Sequence, residues 1–130
     1  MNHYKIVRLV LKNIEYHFSK PDASEIFVSI QDDIEILEIN ENEAKLNVER
    51  KLSFDTQKNS FINVNYEITV ECDEPIVKKN LQDEIYSNHT LNLTVVYSKI
   101  SLLISQITSM SPFGVIVTPP KFNPQNINVR

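Results

Sequence analysis

Leu91-Asn-Leu-Thr-Val-Val-Tyr97-Ser-Lys99-Ile-Ser-Leu-Leu-Ile-Ser-Gln-Ile-Thr-Ser-Met110-Ser-Pro112-Phe113-Gly114-Val-Ile-Val-Thr-Pro119-Pro120-Lys-Phe122-Asn123 separates a helical last third of the chain from everything before it. Leu93, Val96, Tyr97, Ile100, Leu103, Ile104 and Ile107 recur there at the three-and-four spacing of one helical face. The pattern predicts a long helix from about Thr90 to Ser109, stopped by Pro112 and followed by an extended segment. A shorter helix is expected from Ile76 to Tyr86, with Asp73 or Glu74 placed to favour its N-terminus.

Upstream the period changes from three-and-four to two. Ala44, Leu46, Val48, Leu52 and Phe54 alternate with Lys45, Asn47, Glu49, Lys51 and Ser53, and Arg50 breaks the apolar face once. Ile62, Val64, Tyr66, Ile68 and Val70 alternate with Asn63, Asn65, Glu67 and Thr69. Such alternation marks half-buried strands, and the polar run Asp55–Ser60 makes them an antiparallel hairpin. Tyr4 to Phe18 is β-rich and reads as apolar on both faces, which suits a strand covered on both sides or lying at a subunit contact. Another strand is expected around Ile34 to Ile39, after a loop from Ser19 to Ile30 that Pro21 opens. Strands first and helices after imply an α+β fold: a four-stranded antiparallel sheet with a short and a long helix packed on one face. Residues 1–130 read as a single domain, without internal repeats.

Composition removes several classes of function. The chain has 130 residues, is 42% hydrophobic and carries a formal net charge of -4, so it can build a core but has no basic face for nucleic acid. Gly114 is its one glycine, which excludes the glycine loops that cradle phosphates. Cys72 is its one cysteine, which excludes an internal disulfide and a thiolate zinc cluster and suits a reducing cytoplasm. No apolar run approaches membrane-spanning length, and Lys5, Arg8 and Lys12 interrupt the one stretch that resembles a signal peptide. His3, His17 and His89 fall in different elements, which argues against a metal or catalytic cluster. Asp32, Asp33, Glu35, Glu41, Glu43, Asp73 and Glu74 read as solvated strand ends and turns. The sequons at Asn88 and Asn92 read as chance. No catalytic residue, metal site or cofactor is expected.

The order of the C-terminal pieces resembles the SecB chaperone family. Tyr97-Ser-Lys99 is similar to the family's Tyr-Ala-Arg helix. Ser111-Pro112-Phe113-Gly114 followed by Pro119-Pro120-Lys-Phe122-Asn123 resembles its Gly-x-Phe-Pro turn and Pro-x-x-Phe-Asp-type tail. Arg8-Leu-Val-Leu-Lys-Asn13-Ile-Glu-Tyr-His17 is similar to its opening strand, and Glu25-Ile26-Phe27 to its crossover loop. The resemblance runs from Arg8 to Asn123.

That resemblance implies an ATP-independent holdase for unfolded or pre-export polypeptides, working in protein transport. It implies a cytoplasmic homotetramer built as a dimer of dimers, with no nucleic acid and no membrane insertion. The client-binding candidates are Phe18, Ile26, Phe27 and Ile30, as one lip of a groove, and Val115 and Ile116, as its other side. Equally, these residues could be pinned to the protein's own core. Family members that hand clients to the export ATPase use acidic positions on the exposed sheet. The matching residues here are Asn13, His17 and Asn63, so the acidic docking patch is missing and weak or absent binding to that ATPase is expected. The alternative is a dedicated SecB-like factor for one partner, such as a toxin–antitoxin-linked chaperone.

Overall fold

The long alternating runs at residues 43–54 and 62–72 place the centre of the fold. In the computed structural model, which describes residues 3–17, 27–54, 60–88, 90–111, 114–123 and 126–130, they form the middle of a sheet. Its strands are β1 (Tyr4–Tyr16), β2 (Val28–Asn40), β3 (Glu43–Phe54), β4 (Ile62–Cys72) and β5 (Ile127–Val129). Their spatial order is β1-β4-β3-β2-β5, with the first four antiparallel to their neighbours and β5 parallel to β2. The helices α1 (Lys78–Ser87) and α2 (Thr94–Thr108) follow β4 in the chain.

Period-two alternation works as expected in β3 and β4. Leu46, Val48, Leu52, Ile62, Val64, Ile68 and Val70 are fully buried on the inner face of the sheet, where Val96, Tyr97, Ile100 and Ile104 of α2 and Leu81 and Ile85 of α1 complete the core. Each such side chain contributes roughly 1.5–3 kcal/mol by leaving water. Phe54 and Phe61 stack at 4.1 Å, closing the far end of the β3–β4 pair.

β1 corrects the expectation of two apolar faces. Register shifts lie between Ile6 and Arg8 and between Leu11 and Asn13. Ile6, Leu9, Leu11, Ile14 and Tyr16 therefore all stand opposite inner-face residues of β4, respectively Val70, Ile68, Tyr66, Val64 and Ile62. Two bulges, each adding one residue, gather these five onto one face, and Val10, opposite Glu67, stays on the other. The helices cover only part of it: Leu11 and Ile14 remain 41% and 38% exposed, as does the bulge residue Val7 at 44%.

β2 is longer than its apolar run suggests. It begins at Val28, so Ile30 lies in the strand, facing inward opposite Leu52, and not in the preceding loop. Polar Ser29, Gln31, Asp32 and Asp33 obscured this, because Asp32 is an inner-face residue paired with Arg50. The β2–β3 turn is set by Glu41, whose φ of 55° is left-handed, and Ile76 N–H donates to the Glu41 carbonyl at 2.8 Å. β5 carries too few residues to show a period, so the sequence gives it no signal.

Both helices start a little later than their sequence suggests. Asn88 ends α1 in the left-handed region (φ 52°), and its Oδ1 accepts the Leu93 N–H at 3.3 Å, so this sequon asparagine shapes the interhelical turn. Buried Glu84 accepts the Thr90 hydroxyl at 2.6 Å and anchors the same turn.

Candidate functional site

Arg50, the residue that interrupts an otherwise apolar strand face, has no exposed surface and organises the region where the chain's elements meet. Its Nε and Nη2 donate to the two oxygens of Asp32 at 2.7 and 2.9 Å. Nη1 donates to Thr118 Oγ1 at 3.1 Å and to the Pro119 carbonyl at 2.6 Å, and Nη2 also reaches the Lys121 carbonyl at 3.0 Å. A guanidinium offers five N–H donors in a planar fork, and these partners use all of them. The cation also lies 4.8 Å from the centre of the Tyr97 ring, against which Phe122 packs at 5.7 Å.

The segment 114–123 is thereby strapped across α2 and the β2–β3 pair. Ser101 Oγ donates to the Pro119 carbonyl at 3.1 Å and shares a bond with Thr118 Oγ1 at 3.0 Å. Further up, Ser105 Oγ donates to the Ile116 carbonyl at 3.2 Å, and the Ile116 N–H donates to Thr108 Oγ1 at 2.8 Å. Without these partners an extended segment beside a helix would leave polar backbone groups unpaired.

Between this strap and the turn joining α1 to α2 lies a cavity of about 510 Å³. Tyr86, Leu93, Tyr97, Pro119 and Phe122 give it an apolar and aromatic lining, and Asn88 and Lys121 add polar groups. The Tyr97 hydroxyl is buried without a hydrogen-bond partner among the described residues. Burial, with a smaller effect from the charge of Asp32, pushes its phenol well above the usual range, so it stays a neutral donor.

The candidate residues of the sequence reading scatter around this strap. Phe18 and Ile26 lie outside the described residues. Phe27 precedes β2 and is 62% exposed, whereas Ile30 is half-buried against the core one inner-face position from Asp32. Val115 is 56% exposed and Ile116 packs inward, while their neighbour Val117, outside the candidate set, is 80% exposed. Both stretches run into groups that Arg50 holds: Asp32 for the first, Thr118 for the second. Sequence reasoning missed Asp32 and Arg50 as a pair. A charge at an inward position in each of two neighbouring strands was the available signal, but Asp32 read as solvated because the start of β2 was not recognised.

Among the described residues no group of three His, Cys, Asp or Glu side chains could hold a metal ion, and no helix is long and apolar enough to cross a membrane. A strand-first α+β sheet, two C-terminal helices on its inner face and a proline-rich strap after the long helix define a SecB-like fold. Among solved structures, the chain is similar to the Mycobacterium tuberculosis SecB-like chaperone Rv1957, in complex with a ChAD peptide from the HigA1 antitoxin, Rv1956. The TM-score is 0.61 at 9% identity, covering 92% of this chain and 88% of that one. No protein-family model matches the sequence, and no curated protein does at a significant level.

Proposed function

We propose that this protein is an ATP-independent chaperone that holds extended, unfolded polypeptide segments on apolar surface around the Arg50-anchored strap. The observation that carries this reading is the exposure of Phe27, Val115 and Val117 on segments that lead into one buried anchor. Isolated exposed apolar residues are ordinary, but apolar residues presented from an anchored backbone suit capture of other chains. The cavity of about 510 Å³ beside the strap, with aromatic walls, suits a large client side chain.

Assembly would follow from β1. It is an edge strand, paired with β4 alone among the described strands, and it shows Leu11 and Ile14 on the face left uncovered by the helices. An exposed edge with apolar neighbours favours pairing with another chain. A homotetramer formed as a dimer of dimers would place several client surfaces on one particle and raise avidity by roughly 10²–10⁴. In this reading the protein works in the cytoplasm, on unfolded or pre-export clients, as a binding protein and not as an enzyme.

A second reading is a dedicated factor for one partner. The similar mycobacterial chaperone is bound to an antitoxin peptide, which favours this form of client recognition. The test is suppression of aggregation of two unrelated denatured proteins. Suppression of both supports the holdase. If neither is protected while one partner is co-purified and stabilised, the dedicated reading stands. The variant Phe27→Ser with Val115→Ser and Val117→Ser should lose at least half of the activity with unchanged circular dichroism. Full activity in that variant would remove the strap surface from the reading.

A further inference from the structure

β3 pairs along one side of β2 from Val28 to Asn40, but on the other side β5 pairs only with Asp32–Ile34. Two backbone bonds extend this contact: Arg130 N–H to the Ile34 carbonyl at 2.9 Å, and Ile36 N–H to the Arg130 carbonyl at 2.8 Å. The register shift between Ile36 and Glu38 then ends the regular edge. The occupant of this edge is short and parallel, and parallel ladders are the weaker kind.

The side chains show what the edge accepts. Ile127 stands opposite Asp32 and Val129 opposite Ile34, both on the inner face, and Asn128 stands opposite Asp33 on the outer face. Arg130 reaches Glu35 at 3.4 Å through side chains that are 59% and 45% exposed, an ion pair worth little against solvent. Ile127 is buried and covers the edge at the position of Asp32, whose carboxylate holds Arg50. An occupant without an aliphatic residue there would admit water to that ion pair. Asp33 and Glu35 on the outer face call for basic residues between the aliphatic ones.

We propose that this edge of β2 is a strand-addition site for a partner segment that alternates aliphatic with basic residues, and that Ile127–Arg130 is its resident, displaceable occupant. This rests on the reading that the protein captures extended polypeptide, and it names one seat and its chemistry. Main-chain bonds supply affinity in such strand addition, and alternate side chains supply selectivity. Displacement is an exchange of like for like, so the incoming strand must exceed only the small differential stability of the resident one.

The experiment follows two amide protons of the intact protein by hydrogen exchange, with and without a synthetic decapeptide alternating valine and lysine. A decapeptide alternating asparagine and lysine is the control. If the valine peptide takes the seat, the Arg130 amide exchanges at least tenfold faster, because its strand is released, while the Ile36 amide stays protected by the new strand. The control peptide changes neither. Unchanged protection at both amides overturns the proposal, as does loss of protection at both, which would mean release without strand addition. The variant Ile127→Asn with Val129→Asn weakens the resident and should bind the valine peptide at least fivefold more tightly; equal binding counts against the seat. Aggregation suppression by the intact protein is measured separately. Suppression without amide exchange would sink the edge site and leave the holdase standing, and the reverse result would do the opposite.

Discussion

Replacing Arg50 by methionine tests whether the strap depends on one buried cation. The change leaves the Asp32 carboxylate, itself 5% exposed, without its two donors at 2.7 and 2.9 Å. Breaking a buried pair from one side costs about 3–5 kcal/mol, because the remaining charge keeps its desolvation penalty. The Lys121 carbonyl also loses its donor, whereas Thr118 and the Pro119 carbonyl keep Ser101 at 3.0 and 3.1 Å. At about 3–5 °C per kcal/mol for a chain of this size, Arg50→Met should lower Tm by roughly 10–20 °C. Adding Asp32→Leu removes the orphaned charge and should recover more than half of that loss, since an apolar pair of similar volume can replace a buried ion pair. It should not restore the strap. Limited trypsin digestion after Lys121, well below Tm, should be about tenfold faster than in the parent for both variants, reporting local opening. A loss below about 1 kcal/mol in Arg50→Met, or unchanged cleavage at Lys121, would refute the assignment of Arg50 as the anchor.

Tyr97→Phe should be neutral or stabilising by up to about 1 kcal/mol at pH 7, because the deleted hydroxyl is buried without a partner among the described residues. Its raised phenol makes stability complete below about pH 10, the unfolded value, and progressively lost above it as the unfolded chain ionises; alkaline denaturation curves of Tyr97→Phe should be flatter. Destabilisation of that variant by more than about 2 kcal/mol would show that the hydroxyl has a partner. Leu11→Lys with Ile14→Lys should reduce the oligomer measured by light scattering while leaving the monomer folded, since both side chains are already exposed. An unchanged oligomer would move the contact away from β1. Export-ATPase binding, measured by calorimetry, should be weak, because Asn13 and Asn63 bring no charge to the outer face of β1 and β4. Asn13→Asp with His17→Glu should add salt-sensitive affinity, and tight binding by the parent would assign docking to another acidic surface.

The central hairpin and the long helix were legible because each repeats one period over many residues. Leu46 to Phe54 and Ile62 to Val70 each alternate without a bulge, and Leu93 to Ile104 holds a helical face. The first two strands were expected, but the facing of one and the start of the other were not legible for the same reason. In β1 two bulges displace the period, so residues spaced by three and two share a face that a strict alternation splits. In β2, Asp32, a buried charge, hides where the strand begins, and Leu37, at a bulge, displaces its period.

What the sequence determined by itself was whatever depends on neighbours in the chain: the alternation of β3 and β4, the apolar face of α2, and the absence of phosphate loops in a chain with Gly114 alone. What tertiary structure decided depends on residues far apart meeting. Arg50 is an anomaly in sequence and becomes an anchor only when Asp32, Thr118, Pro119 and Lys121 converge on it. Ile127–Val129 is too short to hold a strand conformation alone, and it forms one because β2 offers an open edge and an apolar seat. A buried charge or a three-residue strand is stable only through partners, and partners at that distance leave no period to read.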